Sequence, residues 1–283
     1  MGAAGLVEIK RRIKSINNTK KITKALGLVS TSKLRKVREK LSSNNDYFKQ
    51  CEDVFAEVVN SYEEENIYTK SNKSSKKLYI VLTSDMGLCG SFNSSMISHV
   101  AEITRNDREN ALILMVGEKG RSFAKRYKLE TMAEYVEVGD LPTTKEASTV
   151  YNDAFEMFRK GEVSEVNIVY AKFISQLKKQ IEVEQLLPID KSKFSNIESK
   201  AEFENESDIL FDNVVNLYFT SKILNSMIHA KCSEQSYRME AMEGATKNSD
   251  DLLEKLNLKY NRIRQSAITQ EISEIVGGAE AQN

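Results

Sequence analysis

The chain has 283 residues, with 41 lysines and arginines, 41 aspartates and glutamates, and three cysteines. Its length allows one or two domains with a sizeable core, and its balanced charge points to no class of partner. The cysteines follow no metal-binding or disulfide spacing, which is typical of reduced thiols in a cytoplasmic-type compartment. No apolar run approaches the roughly 20 residues of a membrane span, and the N-terminus lacks the apolar core of a signal peptide. We therefore expect a protein that is soluble or peripheral to a membrane.

The first predicted element is a long N-terminal helix over residues 1–65. This segment is proline-free, and Gly27 is its only glycine after Gly5. Apolar residues recur along it at spacings of three and four, which places them on one helix face. The spacing slips twice, so we expect an irregular coiled coil. The stripe consists of Ile9, Ile13, Ile16, Ile22, Leu26, Val29, Leu34, Val37, Leu41, Phe48, Cys51, Phe55, Val58 and Tyr62.

Charge is unevenly distributed along this predicted helix. Residues 1–40 hold 12 lysines and arginines against two acidic residues, whereas residues 41–66 hold one lysine against seven acidic residues. The pattern suggests a charged partner near one end, or alternatively a solvated helix face. A nucleic-acid partner is not expected, because the basic part has no aromatic residue before Tyr47 and its apolar stripe is needed for a partner helix.

A change of hydrophobic period predicts a central α/β domain over residues 78–189. Polar linkers are predicted before it, at 66–77, and after it, at 190–207. Short apolar runs alternate with helix-like segments, which is typical of a Rossmann-like βαβ domain with a mostly parallel sheet. Thr143 and Glu146 form a capping-box pattern at the start of one helix. The predicted strands are 78–82, 111–116, 132–138, 163–171 and 180–187, the last an edge strand, and the predicted helices are about 92–105, 119–127 and 143–160.

The last predicted element is a second long helix over residues 208–283. It contains no proline, Gly244 is its only glycine before Gly277, and Gly277 and Gly278 are expected to end the helix. Its apolar repeat is interrupted between Cys232 and Asp251 by a mostly polar stretch, which we interpret as an outer surface. Because a helix of this length needs a partner of similar length, we predict that the two terminal helices pair as an antiparallel coiled coil. The repeat before the interruption comprises Leu210, Val214, Leu217, Ser221, Leu224 and Ile228.

The central domain offers candidate chemistry in the segment 84–93, SDMGLCGSFN, after the first strand. It matches neither glycine fingerprint of a phosphate-binding loop, which favours a tight strand-to-helix turn. Cys89 could be a nucleophile beside Asp85, but nothing in the sequence brings a histidine base to it. Two histidines and three dispersed cysteines also disfavour a metal site. We therefore predict no catalytic, cofactor-binding or metal-binding residues, and no cofactor.

Several motifs occur in the same order as in one known family. They are residues 9–16 (IKRRIKSI), 18–25 (NTKKITKA), 83–85 with 87–90 and Asn93 (TSD, GLCG, N), 238–242 (RMEAM), 260–262 (YNR), 264–272 (RQSAITQEI) and 277–279 (GGA). This set resembles the gamma subunit of F-type ATP synthases along the whole chain. The chain departs from the family at Met86, where a basic residue is usual, and at Leu26 and Gly27.

The resemblance implies a non-catalytic rotor shaft that couples ion flow through a membrane ring of c subunits to ATP synthesis or hydrolysis. The shaft would turn inside a hexamer of three alpha and three beta subunits, beside the epsilon subunit, at the cytoplasmic face of the bacterial plasma membrane. The family motif positions imply shaft contacts, or bracing of the coil, at Leu26, Arg238, Gln265, Thr269 and Glu271. For Leu26 and Thr269, packing within the coil is the alternative.

Two other classes of protein stay open on the residues alone. A nucleotide-dependent enzyme with helical arms would bind ATP as an isolated chain. A coiled-coil scaffold or DNA-binding dimer would associate through its ends. Only the resemblance favours the rotor over these two.

Overall fold

The computed structural model describes residues 2–61, 66–70, 72–194 and 208–280. The described residues divide into two compact units: unit 1 is drawn from Met1–Ser30 and Met239–Asn283, and unit 2 from Thr31–Arg238. The two long helices contribute to both units. The helices are α1 (Gly2–Ser61), α2 (Phe92–Ile103), α3 (Gly120–Arg126), α4 (Thr144–Arg159) and α5 (Asp208–Glu280), with 3-10 turns at Arg108–Asn110 and Lys191–Phe194. The strands are β1 (Lys77–Leu82), β2 (Ala111–Val116), β3 (Glu130–Tyr135), β4 (Glu165–Phe173) and β5 (Lys179–Leu187).

Unit 2 is built on a five-stranded sheet in the order β3-β2-β1-β4-β5. The pairs β1–β2, β2–β3 and β1–β4 are parallel, and β5 runs antiparallel to β4 at one edge. This confirms the predicted mostly parallel sheet and its edge strand. Side chains of β2 are buried on both faces, as expected where helices cover both sides of a parallel sheet.

Each face of the sheet is covered by its own pair of helices. On one face, Phe92 and Met96 of α2 and Ala124 of α3 join Ile113 and Val169 of the strands in an apolar core. On the other face, the ring of Tyr170 in β4 lies 6.1 Å from that of His229 in α5. The rings of Tyr151 in α4 and Phe219 in α5 stack at 5.7 Å. Unit 2 is therefore a three-layer α/β arrangement in which α5 forms part of one outer layer.

The predicted capping box at the start of α4 is confirmed. The Thr143 hydroxyl oxygen accepts a hydrogen bond from the backbone N–H of Glu146, and the Glu146 carboxylate accepts one from the backbone N–H of Thr143. Burial would raise the pKa of Glu146, but these hydrogen bonds outweigh it and lower the pKa. The helix start is thus determined by local sequence alone.

In unit 2, α1 and α5 run antiparallel with aromatic side chains between them. The rings of Phe55 and Tyr218 stack at 3.9 Å, and further along the pair Asn225 donates a hydrogen bond to Asn45. From Leu34 onward the predicted stripe on α1 is buried except at Phe48, which is half-buried, and Tyr62, which lies outside the described residues. On α5 the predicted phase is wrong by one residue at two places, because Phe211 and Tyr218 are buried where Leu210 and Leu217 were expected. Aromatic rings bury more area than leucine side chains and so dominate the choice of face.

The predicted outer surface over residues 232–251 is wrong for its first part, because 232–236 are buried, whereas most of 240–251 is exposed as predicted. Every residue from 223 to 236 is buried in unit 2, including the polar residues that interrupt the apolar repeat. Buried polar groups need hydrogen-bond partners, and here other parts of unit 2 supply them. One example is the Ser233 hydroxyl, which donates to the backbone carbonyl of Ala171 at 2.8 Å.

Unit 1 consists of the first part of α1 paired antiparallel with the last part of α5. The hydroxyls of Thr23 and Thr246 share a hydrogen bond of 2.8 Å, and Lys20 forms an ion pair with Asp250. In this unit the predicted apolar stripe is wrong at Ile22, which is 60% exposed while Thr23 is buried, and at Val29. It is confirmed at Ile9, which is buried, and Ile13, Ile16 and Leu26 are half-buried. A methyl group on Gly27 would lie 3.5 Å from Cβ of Met242, so small residues set the spacing of the two helices.

The predicted end of the second helix is wrong as well. Helix α5 continues through Gly277 and Gly278 to Glu280. A glycine pair lowers helix propensity, but it does not by itself impose a turn.

Candidate functional site

Ligands of open α/β sheets bind at the carboxyl ends of the strands, so the turn after β1 is the first place to consider. Thr83, which follows β1, donates hydrogen bonds to the carbonyls of Val116 and Gly117 at 3.0 and 2.9 Å. Gly117 has φ of +101°, and a methyl group there would lie 2.4 Å from the Thr83 carbonyl oxygen. The carboxyl ends of β1 and β2 are therefore packed directly against each other.

The segment 84–93 folds as a tight turn held by Asn93. The Asn93 side chain accepts a hydrogen bond from the backbone N–H of Ser84 at 2.9 Å and donates one to the Ser84 hydroxyl at 2.7 Å. It also donates to the sulfur of Cys89 at 3.3 Å. Neither serine nor asparagine is a base that could activate this thiol, so the geometry supports the strand-to-helix turn over a nucleophile.

Arg238 of α5 fills the turn from inside unit 2. Its guanidinium donates to the backbone carbonyls of Met86 at 2.9 Å and Gly87 at 3.2 Å. A phosphate-binding loop presents N–H donors to its ligand, whereas this turn presents acceptors and binds a cation of its own chain. The turn therefore has the wrong polarity for a nucleotide phosphate.

Arg238 belongs to a buried charge cluster of two cations and two anions. Glu234 lies 2.8 Å from Arg238 and 3.4 Å from Lys231, and Lys231 lies 3.9 Å from Asp85. Glu234 and Arg238 are 4% and 7% exposed, so each charge is compensated where water cannot reach it. Such a cluster resists the loss of any one member, because the remaining charge would be buried unpaired. The sequence pointed to Arg238 as a family position and to Asp85 as a candidate acid, but not to their cluster, although the spacing of residues 231, 234 and 238 could have indicated it.

A second buried polar group lies where α5 crosses β4 and β5. Burial would raise the pKa of Glu184, but the Lys222 ammonium group and the Tyr170 hydroxyl outweigh it and lower the pKa. Burial lowers the pKa of His229 to about 4, and the positive charges of Lys172 and Lys222 add to this shift. His229 is therefore neutral at ordinary pH, and its Nδ1 has no hydrogen-bond partner in the described part of the chain.

The other family positions lie in unit 1. Gln265, Thr269 and Glu271 are exposed on α5, and Leu26 is half-buried on α1. The Thr269 hydroxyl donates to the carbonyl of Gln265 on the same helix at 2.9 Å. The structure thus places Gln265 and Thr269 on adjacent turns, whereas Arg238 is an internal residue of unit 2.

Unit 1 exposes more than these polar residues. Large apolar side chains point outward along the last turns of α5, and others do so on α1 at Ile22 and Val29. Contiguous exposed apolar surface is typical of a protein interface. The exposed apolar residues of this part of α5 are Leu258, Ile268, Ile272, Ile275 and Val276.

Across the described ranges, no group of three or more His, Cys, Asp or Glu side chains is placed to hold a metal ion. The same ranges include no helix that is both long and apolar enough to cross a membrane.

Comparison with protein families gives one match over nearly the whole chain. A family model described as ATP synthase matches residues 5–282. Proteins described as ATP synthase gamma chain are similar over their full length: that of Clostridium botulinum is 49% identical over 284 residues, and that of Clostridium beijerinckii is 51% identical over 285 residues. Both alignments cover 100% of each chain.

Solved structures give the same result for the fold. The central stalk and c-ring structure of the Tetrahymena thermophila mitochondrial ATP synthase contains a chain that matches with a TM-score of 0.62 at 27% identity, covering 79% of this chain and 99% of that chain. A chain of the Euglena gracilis mitochondrial ATP synthase, in a structure of OSCP, F1 and the c-ring, matches with a TM-score of 0.73 at 17% identity. That match covers 99% of this chain and 95% of the other.

Proposed function

The chain belongs to the ATP synthase gamma-chain family, and we propose that it is the central rotor shaft of an F-type ATP synthase. In this role it couples ion flow through the membrane c-ring to ATP synthesis or hydrolysis in the alpha and beta subunits. Catalysis belongs to those subunits, and this chain has no active site of its own. The turn at 84–93 presents carbonyl oxygens, and Arg238 already binds them. This supports the proposal that catalysis does not take place on this chain.

The observation that carries the proposal is the surface of unit 1. A helix pair that buries Ile9 and Leu253 beside threonine and serine, but leaves Ile272 and Ile275 exposed, is poorly suited to stand alone in water. It is well suited to turn inside a ring of other subunits. A two-helix unit also has no rotational symmetry, so it presents a different face in each direction.

Mechanistically, the chain acts as a rotating allosteric ligand. It can bias a beta subunit only through contacts that differ between that subunit's conformations. We assign such contacts to Gln265, Thr269 and Glu271, which are exposed, and to Leu26, which is half-buried. Arg238 contributes from within unit 2, where it braces the turn after β1 against α5.

The proposed partners are three alpha and three beta subunits, the epsilon subunit and the c-ring, without nucleic acid. The bacterial relatives support a position at the cytoplasmic face of the plasma membrane, peripheral to it through the complex. In this proposal, residues 78–189 form the domain that bears on the c-ring and epsilon subunit. The segments 66–77 and 190–207 connect that domain to the shaft helices 1–65 and 208–283.

A reversible disulfide between the shaft and a surrounding beta subunit tests whether the shaft rotates. Lys24 is exposed on unit 1, so Lys24→Cys can be paired with a cysteine on the nearest loop of a beta subunit. The three native cysteines are buried and would be replaced by alanine. A disulfide needs Cα atoms within about 7 Å, so oxidation traps one rotary position. We expect ATP hydrolysis to stop on oxidation and to return on reduction.

The control is the same complex with only one of the two engineered cysteines. Full multi-turnover hydrolysis by the quantitatively cross-linked complex would contradict rotation at this level of the shaft. Absence of the chain from complexes purified through the beta subunit would contradict the proposed function altogether.

A further inference from the structure

A cavity of about 280 Å³ lies within unit 2, between the end of α1, the edge strand β5, the 3-10 turn at Lys191–Phe194 and the early part of α5. Its volume is close to that of the smallest small-molecule pockets in proteins. None of its lining residues belongs to the turn at 84–93 or to the family motifs. The cavity is therefore not accounted for by the site described above.

Three aromatic rings form a corner of this cavity. The rings of Phe55 and Tyr218 stack at 3.9 Å with an interplanar angle of 9°. The ring of Phe194 stands nearly perpendicular to both, at 82° and 89°. Phe219 and Leu186 complete the apolar wall, and both are buried. The corner offers apolar surface in two directions, and the faces of its rings attract cations.

The charged residues that line the cavity compensate one another except at Glu52. Lys222 forms an ion pair with Glu184. Lys193 and Asp190 carry opposite charges on one turn, in which the Lys193 N–H donates to the Asp190 carbonyl at 3.2 Å. Glu52 of α1 is half-buried, and it forms no ion pair with another described residue. The cavity therefore keeps one uncompensated negative charge.

The hydroxyl of Tyr218 shows where this charge lies. Burial raises the pKa of Tyr218, and the charges of Glu52 and Glu184 raise it further, so both carboxylates lie near the hydroxyl. A tyrosine hydroxyl has one hydrogen to donate, and it leaves the negative charge in place. Because Lys222 already balances Glu184, a cation beside Tyr218 would face Glu52 and the aromatic corner together.

We propose that this cavity binds a small organic ammonium ion with an aromatic body, of the arylalkylamine class. The ammonium group pairs with Glu52, and the aromatic body packs into the corner formed by the three rings. A phosphate or carboxylate ligand would be repelled by Glu52, and a metal ion would find only one uncompensated carboxylate there. This inference goes beyond the proposed function, because it assigns to unit 2 a small-molecule site that rotation does not require.

Calorimetric titration of the complete chain with 2-phenylethylammonium chloride tests the site. We expect saturable binding and a melting temperature that rises with probe concentration, because a ligand that binds only the folded state stabilises it. The neutral isostere 2-phenylethanol should bind about tenfold more weakly, as expected for the loss of one charged hydrogen bond. Phenylacetate, which carries the opposite charge, should bind more weakly still.

Two variants connect the binding to this cavity. Glu52→Gln keeps the shape of the side chain and removes its charge, so it should weaken binding of the ammonium probe about tenfold and leave binding of 2-phenylethanol unchanged. Val183→Phe adds volume at an exposed residue of the cavity wall and should weaken binding of both probes. Glu57→Gln is the matched control, because Glu57 is also a half-buried carboxylate of α1 but does not line the cavity. It should bind the ammonium probe as the unmodified chain does.

Thermal denaturation followed by circular dichroism shows whether each variant is folded. If Glu52→Gln does not fold, the comparison is made with Val183→Phe. Absence of saturable binding to the folded chain would overturn the inference, as would equal binding of phenylacetate or an unchanged affinity in a folded cavity variant. If binding fails while Lys24→Cys still blocks turnover, only the ligand site is refuted and the proposed function stands.

Discussion

The same two helices pack with different side chains in the two units. In unit 2, α1 and α5 bury aromatic and apolar side chains such as Phe55 and Tyr218 against each other. In unit 1 the buried set is mixed, because Thr23, Ser30 and Ser249 are buried together with Ile9, Met242 and Leu253, while Ile22 and Ile272 are exposed. Apolar burial stabilises a folded core, so unit 2 holds itself together. Unit 1 leaves several large apolar side chains, such as Ile272 and Ile275, exposed to other molecules, which is the chemistry expected of a shaft inside a ring of partners.

The largest expected effect comes from truncating one apolar side chain in each unit, which tests whether the two units depend equally on apolar burial. Phe55→Ala removes a ring that is 1% exposed, and we expect a loss of about 4 kcal/mol of unfolding free energy. Ile22→Ala in unit 1 should change it by less than about 0.5 kcal/mol. Urea denaturation of the two variants measures both values. Equal losses would show that unit 1 also depends on its apolar side chains for stability.

A second test removes a charge from the buried cluster in unit 2. Arg238→Ala leaves Glu234 without its closest cation and two carbonyls without a donor. We expect a loss of about 3 kcal/mol of unfolding free energy, measured by denaturation. Arg264→Ala, at an exposed arginine of unit 1, is the matched control and should cost almost nothing. If Arg238→Ala loses no more unfolding free energy than the control, Arg238 does not stabilise the packing of the turn after β1 against α5.

The pH dependence of unit 2 should come partly from His229. Its pKa is lowered to about 4 in the folded protein, while an unfolded histidine titrates near 6.5. Below pH 6.5 the unfolded chain therefore binds a proton that the folded chain does not. Stability should fall by about 2–3 kcal/mol as pH decreases from 6.5 to 4.

Replacement of this histidine isolates its share of the pH dependence. His229→Gln should flatten the stability curve between pH 6.5 and 4, as measured by denaturation at each pH. His99→Gln at the other histidine, which is half-buried on α2, is the control. An unchanged slope in the His229→Gln variant would show that other groups, such as Glu184, determine it.

The smallest expected effect is an increase in stability, and it concerns the helix packing of unit 1 at Gly27. A methyl group at Gly27 would make ordinary contact, at 3.5 Å, with Cβ of Met242. Gly27→Ala should therefore stabilise the chain by roughly 0.5–1 kcal/mol through helix propensity, seen as a higher melting temperature. Gly244→Ala, where a methyl group would meet no atom within 4 Å, should give a similar gain. A lower melting temperature for Gly27→Ala alone would mean that the helices cannot separate even slightly at this level.

Local sequence determined the type and place of most elements. The absence of proline predicts α1 and α5, the apolar run 111–116 coincides with β2, and Thr143 with Glu146 predicts the start of α4. These features depend on residues close together in the chain, so a single sequence is sufficient for them. The ordered family motifs predicted the fold class and the family in the same way.

Tertiary structure decided which face of each long helix is buried. Near residue 22, an apolar and a polar face were both available, and the structure buries Thr23 and Gly27 while it exposes Ile22. The first part of the polar stretch of α5 is buried, and there Arg238 finds its acceptors in the turn at Met86 and Gly87, about 150 residues earlier. Hydrophobic periodicity shows that a helix has two faces, but the free energy of burial depends on the partner groups that distant segments supply.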